Sequence, residues 1–290
     1  MKIYFYDDIN KFHDLTLPFL LEREVENGLL LSIINSLKEN IYRYGQKKPV
    51  LCAISENDDI KLISLRTPPY NQIISYTNDL NTIDILINTL SEYYDDLPGV
   101  FGFKKGVKRF VKLWCLLKGV QSQIIRNERV YKLVQVKEET IGNHQFIKAV
   151  DSYENIILQW GREFISEALS ERSEEMIERS LKQLEKDIDE GKIFLLLDNK
   201  KPVSMARKGG ETPNGIAINN VYTPPRLRRN GYATECVAKL SKLFLNEGKN
   251  YCFLFTDLSN PISNSIYQKI GYYPVMDVDE YHFIKRSSNN

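Results

Sequence analysis

The pattern of apolar and polar positions changes its period several times along the first half of the chain, and each change predicts a new element. Apolar residues at intervals of three and four indicate helices, whereas short apolar runs between turn-forming residues indicate strands. The clearest helical pattern places Leu30, Ile34, Leu37 and Ile41 on one face. Strands are predicted at Lys2–Tyr6, Pro49–Ser55, Lys61–Leu65 and Gln72–Tyr76, further helices at Thr82–Tyr93 and Lys104–Leu117, and two strand-like runs within Gln121–Val136.

The second half repeats this order of elements. Asp198-Asn199-Lys200 predicts a hairpin turn, and Gly209-Gly210 predicts a break after the hairpin. The predicted strands are Gln145–Val150, Ile193–Leu197, Pro202–Ala206, Ile216–Tyr222, Tyr251–Thr256 and one near Tyr281–Ile284, and the predicted helices follow Asp151, cover Glu174–Glu190, start at Gly231 and cover Pro261–Ile270. Because one order of strands and helices occurs twice, once in degraded form, we predict a tandem pair of α+β domains, residues 1–128 and 129–290.

Composition and charge restrict the class of protein. A chain of 290 residues with 42% hydrophobic and 27% charged residues is typical of a globular protein and not of a disordered one. The net charge of +1 provides no overall field for nucleic acid or anionic lipid. No apolar run approaches the length of a membrane span, and Asp7 and Asp8 interrupt the opening residues before a signal sequence develops. We therefore expect a cytoplasmic protein with neither a nucleic-acid nor a membrane partner.

Cysteine and histidine usage argues against a metal site. The four cysteines are far apart in the sequence, lie in apolar surroundings and form no C-x-x-C pair, so reduced core residues are expected. The chain has only three histidines and no H-E-x-x-H pattern. No bound metal is predicted.

A candidate ligand-binding edge follows the strand Ile216–Tyr222. This strand runs into Thr223-Pro224-Pro225, and proline cannot donate to a sheet ladder. Backbone groups near Val221–Thr223 are therefore available to an extended ligand if the neighbouring strand diverges.

A candidate phosphate site comes next. Gly231 allows close approach of the backbone, and the following helix begins with unpaired amides at the positive end of its dipole. Arg226, Arg228 and Arg229 add three positive charges within four residues. An ordinary helix start with a basic surface explains this loop equally well, because glycine is common at helix starts.

A second motif begins at Asn260-Pro261, a strong helix start with asparagine as the cap and proline at the first helical position. Ile262, Ile266 and Ile270 predict the buried stripe of this helix. Tyr267 lies about 100° round the helix from Ile266, so its ring can flank the core while its hydroxyl reaches a cleft. A tyrosine alone in such a position is more often a residue at the edge of the core.

Together the two motifs resemble the GNAT acetyltransferase superfamily, specifically its branch that includes glycine N-acyltransferase-like proteins. The family's pyrophosphate loop, R/Q-x-x-G-x-G/A, is matched by Arg228, Gly231 and Ala233. The closing pattern of the branch, N-P-x-S-N-x-x-Y-x-x-x-G-[FY], is matched by Asn260, Pro261, Ser263, Asn264, Tyr267, Gly271 and Tyr272. The resemblance implies that each half has a mixed, mostly antiparallel sheet flanked by helices.

The resemblance also implies an activity: transfer of an acetyl or other acyl group from acetyl-CoA or another acyl-CoA to an amine by direct attack. It assigns Tyr267 as the general acid that reprotonates the CoA thiolate, which a phenol near pKa 10 can do. The cofactor-binding residues that it implies are Val221, Tyr222 and Thr223 for pantetheine, Arg228, Arg229, Asn230, Gly231, Tyr232, Ala233 and Thr234 for the diphosphate, and Asn260 and Asn264. Glu167, Glu211 and Asp257 remain unranked candidates for the base.

The first half lacks the equipment of this resemblance. No glycine occurs between Gly45 and Gly99, so Gln72–Tyr76 is not followed by the loop pattern. We therefore expect a degenerate copy that either packs against the second half or covers its acceptor cleft. A non-catalytic CoA-binding sensor or scaffold is the alternative function. The expected partner is a small-molecule or peptide amine, and both a monomer and a homodimer are open.

Overall fold

The computed structural model describes residues 1–168 and 174–285, and the chain forms two compact units. Unit 1 comprises Met1–Val130, Thr256–Asn260 and the described part of Pro274–Asn290, and unit 2 comprises Tyr131–Phe255 and Pro261–Tyr273, again as far as described. The predicted division into residues 1–128 and 129–290 stays a prediction about domains. The compact units differ from this division because two segments of the second half of the sequence belong to unit 1: Thr256–Asn260 and a segment that contains most of the last strand.

The described elements follow one order twice. The first ten are β1 (Lys2–Tyr6), α1 (Ile9–Glu22), α2 (Gly28–Glu39), β2 (Val50–Glu56), β3 (Asp59–Arg66), β4 (Gln72–Ile74), α3 (Asn81–Tyr93), β5 (Gly99–Phe103), α4 (Lys104–Lys118) and β6 (Gln121–Leu133). The next ten are β7 (Gln145–Lys148), α5 (Glu154–Ala168), α6 (Glu174–Asp189), β8 (Ile193–Asp198), β9 (Lys201–Glu211), β10 (Gly215–Tyr222), α7 (Tyr232–Asn246), β11 (Tyr251–Asp257), α8 (Pro261–Ile270) and β12 (Tyr273–Ile284). Short 3₁₀ turns lie between some of them.

Unit 1 is a sheet with helices on both faces. Its strands follow the order β1-β2-β3-β4-β5-β12, and all neighbours are antiparallel except the parallel pair β4–β5. Alternation along β2 separates the two cores. Leu51 and Ala53 face a cluster with Phe12 of α1, whereas Cys52 and Ile54 face a cluster that includes Trp114 of α4 and residues of α3. Each face of the sheet is thus closed by a pair of helices.

Unit 2 is built in the same way. β7, β8, β9 and β10 form an antiparallel meander, and β11 joins β10 in parallel. Along β8, Leu195 packs with Trp160 of α5, whereas Leu196 packs with Val237 of α7 and Ile270 of α8. The predicted fold class, a mostly antiparallel sheet flanked by helices, is confirmed.

Several predicted strand boundaries are wrong, and two of them fail because of contacts between residues on different strands. β12 starts at Tyr273 and not near Tyr281, since the guanidinium of Arg129 holds Asp277 (Nε–Oδ1 2.7 Å) and the amide of Asn127 holds Asp279 (3.0 Å). β9 continues through Gly209, where a Cβ would lie 2.8 Å from the Cβ of Ala217. Glycine therefore permits close approach of β10 instead of ending the strand.

The described helices include none that is both long and apolar enough to span a membrane.

Candidate functional site

The candidate site begins where β10 and β11 stop pairing. These parallel strands are in register at only three positions, Gly215–Tyr251, Ile216–Cys252 and Ala217–Phe253. β10 then continues to Tyr222 without a partner in β11. The sheet of unit 2 therefore has a notch along the second half of β10. The availability of backbone groups near Val221–Thr223 required that the neighbouring strand diverge, and β11 does so here.

A β-bulge in β10 accounts for this divergence. Asn219 pairs with Arg207 of β9, but the next partners are Tyr222 and Met205, so β10 carries one extra residue. Asn220 within the bulge has a φ of 45°, in the left-handed region that asparagine tolerates better than most residues. A bulge bends its strand and is common beside active sites. The bulge was not predicted from the sequence, although the Asn219-Asn220 pair within a strand is its local signal.

Side chains fix the end of β10. The carbonyl of Tyr222 accepts a hydrogen bond from the hydroxyl of Ser204 (3.1 Å), and the Thr223 hydroxyl donates to that same Ser204 oxygen (2.9 Å). The carbonyl of Thr223 accepts from Nε of Arg228 (2.9 Å). Tyr222 and Thr223 are buried, while Val221 is half-buried. Three hydrogen bonds thus hold the strand end that the sequence indicated.

The loop after this strand leaves the start of α7 uncapped. Arg229 and Gly231 have positive φ values of 67° and 81°, and no side chain accepts from the first amides of the helix. Asn230 turns inward and donates to the carbonyls of Leu227 (3.1 Å) and Arg228 (3.3 Å). A Cβ on Gly231 would meet no atom within 4 Å. The loop therefore combines unpaired helix amides with open space, the two requirements of an anion site at a helix N-terminus.

The first turn of α7 is anchored from behind. The Tyr232 hydroxyl donates to Asp198 (2.6 Å), and this bond together with burial raises the pKa of the phenol. The Glu235 carboxylate accepts from the backbone N–H of His144 (2.9 Å), interacts with Nδ1 of the same ring (2.6 Å) and pairs with Lys239 (3.0 Å). Burial alone would raise the pKa of Glu235, but these bonds outweigh it and hold the pKa below its usual value. Ala233 and Thr234 lie in this anchored turn.

Tyr267 occupies a buried position on α8. Its side chain is only 8% exposed, and its ring packs against those of Tyr131 and Tyr272, with centroids 6.4 and 5.9 Å away. Burial raises its pKa to about 12. Within the described part of the chain its hydroxyl makes no hydrogen bond, unlike that of Tyr272, which pairs with Ser241 (2.9 Å). Tyr267 is therefore a protonated, desolvated phenol whose proton is not engaged.

Asn264 lies one turn before Tyr267, and its amide is oriented by a residue that the sequence analysis missed. The buried Tyr131 donates its hydroxyl proton to Oδ1 of Asn264 (3.1 Å) and accepts from the amide of Gln268 (3.1 Å). Asn260 directly precedes α8 but belongs to unit 1. The other predicted site residues between Val221 and Tyr267 belong to unit 2.

The predicted buried stripe of α8 is wrong at one position, and the base candidates differ in their surroundings. Ile262 is 67% exposed, whereas Ile270 is buried, because Tyr267 packs into the core beside Ile270. Glu167 pairs with Arg228, and Glu211 pairs with two lysines that hold its pKa down against the effect of burial. Among the described residues no group of three or more acidic, histidine or cysteine side chains is arranged to hold a metal.

Comparison with known families finds a match for part of the chain. Residues 158–272, which include β10, the loop, α7 and α8, match the family model described as Acetyltransferase (GNAT) family. This segment, about two fifths of the chain, is therefore similar to the GNAT family. The matched range covers the notch, the uncapped helix and Tyr267. No curated protein matches the chain.

Several solved structures resemble the chain at low identity. A protein from Drosophila is 12% identical, with 97% of this chain and 98% of that chain covered and a TM-score of 0.67. An acetyltransferase of the GNAT family from Colwellia psychrerythraea is 10% identical, with 99% and 100% covered and a TM-score of 0.54. A GCN5-related N-acetyltransferase from Sphaerobacter thermophilus is 14% identical, with 88% and 85% covered and a TM-score of 0.58. At these identities the likeness shows the fold alone.

Proposed function

We propose that the chain is an N-acyltransferase of the GNAT type that moves an acetyl or other acyl group from acyl-CoA to a small-molecule or peptide amine. The observation that carries this proposal is the hydroxyl of the buried Tyr267 side chain, which makes no hydrogen bond to the described residues and lies in the same compact unit as the notch and the uncapped helix. A binding protein needs the notch and the helix start, but it has no use for an unengaged acid.

The donor would bind along the end of β10 and the start of α7. Pantetheine would lie in the notch beside Val221, Tyr222 and Thr223, where β11 no longer pairs. The diphosphate would lie against the amides of Arg229–Thr234, where Gly231 leaves room for it. Asn260 and Asn264 would contact the cofactor at the start of α8. We also infer that the chain belongs with the glycine N-acyltransferase-like branch, on the basis of its second motif.

The reaction would proceed by direct attack. The nitrogen of a neutral amine bonds to the thioester carbonyl carbon, the carbon–sulfur bond breaks, and the sulfur leaves with the electron pair. Tyr267 gives its proton to the thiolate and regains one from water, while the amine proton passes to water. Burial disfavours charge on the phenol, and it equally disfavours charge on a thiolate in the same cleft, so proton transfer between them relieves one buried charge while creating another.

Unit 1 would not bind a second donor. Its parallel pair β4–β5 is also short, with two register positions, and α3 follows β4 as α7 follows β10. At the start of α3, however, the Asp79 carboxylate accepts from the amide of Asn81 (2.9 Å). A carboxylate that occupies a helix N-terminus excludes a phosphate by charge and by position. We infer that residues 1–128 are a degenerate GNAT-like domain and residues 129–290 the catalytic one.

Calorimetry with CoA followed by a thiol-release assay tests the proposal. We expect CoA to bind one site per chain and acetyl-CoA to release thiol when a panel of primary amines is added. A chain that binds no CoA contradicts the proposal at the donor site. A chain that binds CoA, and whose Tyr267→Phe variant shows the same slow thiol release as the wild type with every amine, supports the sensor or scaffold alternative.

A further inference from the structure

Arg228 opens the loop that precedes α7, and its guanidinium bonds to residues outside that helix. Nε donates to the carbonyl of Thr223 (2.9 Å), and Nη2 pairs with a carboxylate oxygen of Glu167 on α5 (2.5 Å). The guanidinium carbon lies 5.7 Å from the centre of the Tyr222 ring. Arg228 therefore closes the turn from Thr223 to itself, and two of its donors are occupied before an anion could bind them.

Glu167 connects this turn to the end of β10 as well. Its second oxygen accepts from the Tyr222 hydroxyl (3.0 Å), which is also 2.9 Å from a carboxylate oxygen of Glu163. Burial and the two carboxylates raise the pKa of Tyr222, so this phenol remains a donor at any working pH. Tyr222 itself is fixed by the rings of Trp160 and Phe164. One carboxylate thus holds the strand end through Tyr222 and the loop through Arg228.

We propose that Glu167 is a positioning residue that fixes the diphosphate-binding loop through Arg228. The inference rests on the proposed function, because it concerns how that loop meets CoA. A simple electrostatic argument predicts the opposite effect on CoA binding. A carboxylate close to a bound diphosphate repels it, so removal of the charge alone would strengthen CoA binding. Removal of a contact that preorganises the loop weakens CoA binding, because the loop must then be ordered when the ligand binds.

The opposite signs make Glu167→Gln a sharp test, with Glu163→Gln as its matched control. Glu163 lies one turn earlier on α5, contacts Tyr222 and makes no hydrogen bond to Arg228, so the control removes the same charge without releasing the loop. We expect calorimetry to give a Kd for CoA that rises roughly three- to tenfold in Glu167→Gln, as for the loss of an ion pair of about 1 kcal/mol. In Glu163→Gln the Kd should stay within about twofold.

Acetyl-pantetheine, which lacks the diphosphate, separates positioning of the loop from a general loosening of the strand end. Its affinity should be the same in Glu167→Gln and in the wild type. Arg228→Lys keeps the charge but cannot make both contacts, so it should weaken CoA binding to a similar degree. The double variant should be no weaker than the Arg228→Lys variant, because both changes break the same contact.

The outcomes are distinguishable from failure of the proposed function. If the wild-type chain binds no CoA, the proposed function is wrong. If the wild type binds CoA and Glu167→Gln binds it equally well or more tightly, Glu167 does not position the loop. Equal losses for CoA and acetyl-pantetheine also overturn the inference, since they indicate damage to β10. If Glu167→Gln does not fold, Arg228→Lys gives the same comparison of the two ligands.

Discussion

Replacement of Tyr267 by phenylalanine is the sharpest test of the catalytic proposal, because the structure separates its effect on stability from its effect on rate. Phenylalanine keeps the ring contacts with Tyr131 and Tyr272. The hydroxyl that it lacks makes no hydrogen bond to the described residues. Removal of a hydroxyl that makes no hydrogen bond within the described protein is nearly neutral, so the free energy of unfolding should change by less than about 1 kcal/mol.

The rate should fall much more. A positioned general acid contributes about 10²- to 10⁴-fold to a rate. Each factor of ten corresponds to about 1.36 kcal/mol of activation free energy, so loss of the acid should cost about 3–5 kcal/mol at the transition state. We therefore expect kcat to fall by roughly 100-fold or more in Tyr267→Phe. The KM for acetyl-CoA should stay within a few-fold, because the phenol acts after the donor has bound.

The pKa of Tyr267 adds a second observable. Burial raises this pKa to about 12, so the acid form is lost only as the pH rises through that value. The wild-type rate should therefore show no decline from this group between pH 7 and 10. A thiol-release assay across that range, with urea denaturation of both proteins, measures rate and stability together.

Tyr272→Phe is the matched control, because Tyr272 packs beside Tyr267 but donates to or accepts from Ser241. This control should lose about 1 kcal/mol of stability through the broken hydrogen bond and keep its kcat. An unchanged kcat in Tyr267→Phe would remove Tyr267 from the acid role. Equal losses of kcat in both variants would show that the rate depends on the packing of the tyrosines and not on a proton.

Three further predictions concern the loop, its anchor and the cysteines. Gly231→Ala should weaken CoA binding roughly tenfold, which calorimetry measures. Gly248→Ala, just beyond the other end of α7, also has a positive φ and open space around the glycine, so it should share only the backbone strain of about 1–2 kcal/mol, which denaturation measures. Because the folded pKa of Glu235 is lowered, its stabilising contribution is present above pH 4.5 and is lost as the pH falls further, so the stability advantage of the wild type over Glu235→Gln should shrink between pH 6 and 3 in thermal melts. Thiol labelling of the native protein at pH 8 should modify the half-buried Cys115 and leave the three buried cysteines unmodified, and mass spectrometry that finds rapid labelling of all four would contradict the packing.

The helix–strand order was predictable because hydrophobic period is a local property. In β8, alternate residues belong to different cores, and the same alternation separates Leu51 and Ala53 from their neighbours in β2. A reader of the sequence sees this alternation directly. The boundaries that failed depend on partners far along the chain. In the sequence, Asp277 and Asp279 are typical of a loop. In the fold, Arg129 forms an ion pair with Asp277 and Asn127 hydrogen-bonds to Asp279, each across about 150 positions.

Within the candidate site, the local motifs were visible and their supports were not. Proline after β10, glycine before α7 and Asn260-Pro261 before α8 each act through backbone conformation, which neighbouring residues determine. Tyr131 and His144 act at a distance of 133 and 91 positions, on Asn264 and Glu235 respectively. Neither has a local pattern that sets it apart from an ordinary core tyrosine or surface histidine. Spacing can therefore indicate which residues meet a ligand, but not which residues hold them in place.

The bulge in β10 shows how the local and the distant contributions combine. The two parallel strands pair only at their beginnings, so some feature must turn β10 away, and the extra residue at Asn219–Asn220 provides that turn. A bent strand with an unbound edge would be a liability unless its end were fixed, and here Ser204, Arg228 and Glu167 fix it. Hydrogen bonds within the protein therefore support the end of the strand that borders the notch. Under the proposed function, an acyl donor bound there would lose little free energy to ordering the protein, and its thioester would be held in a constant position while an amine approaches.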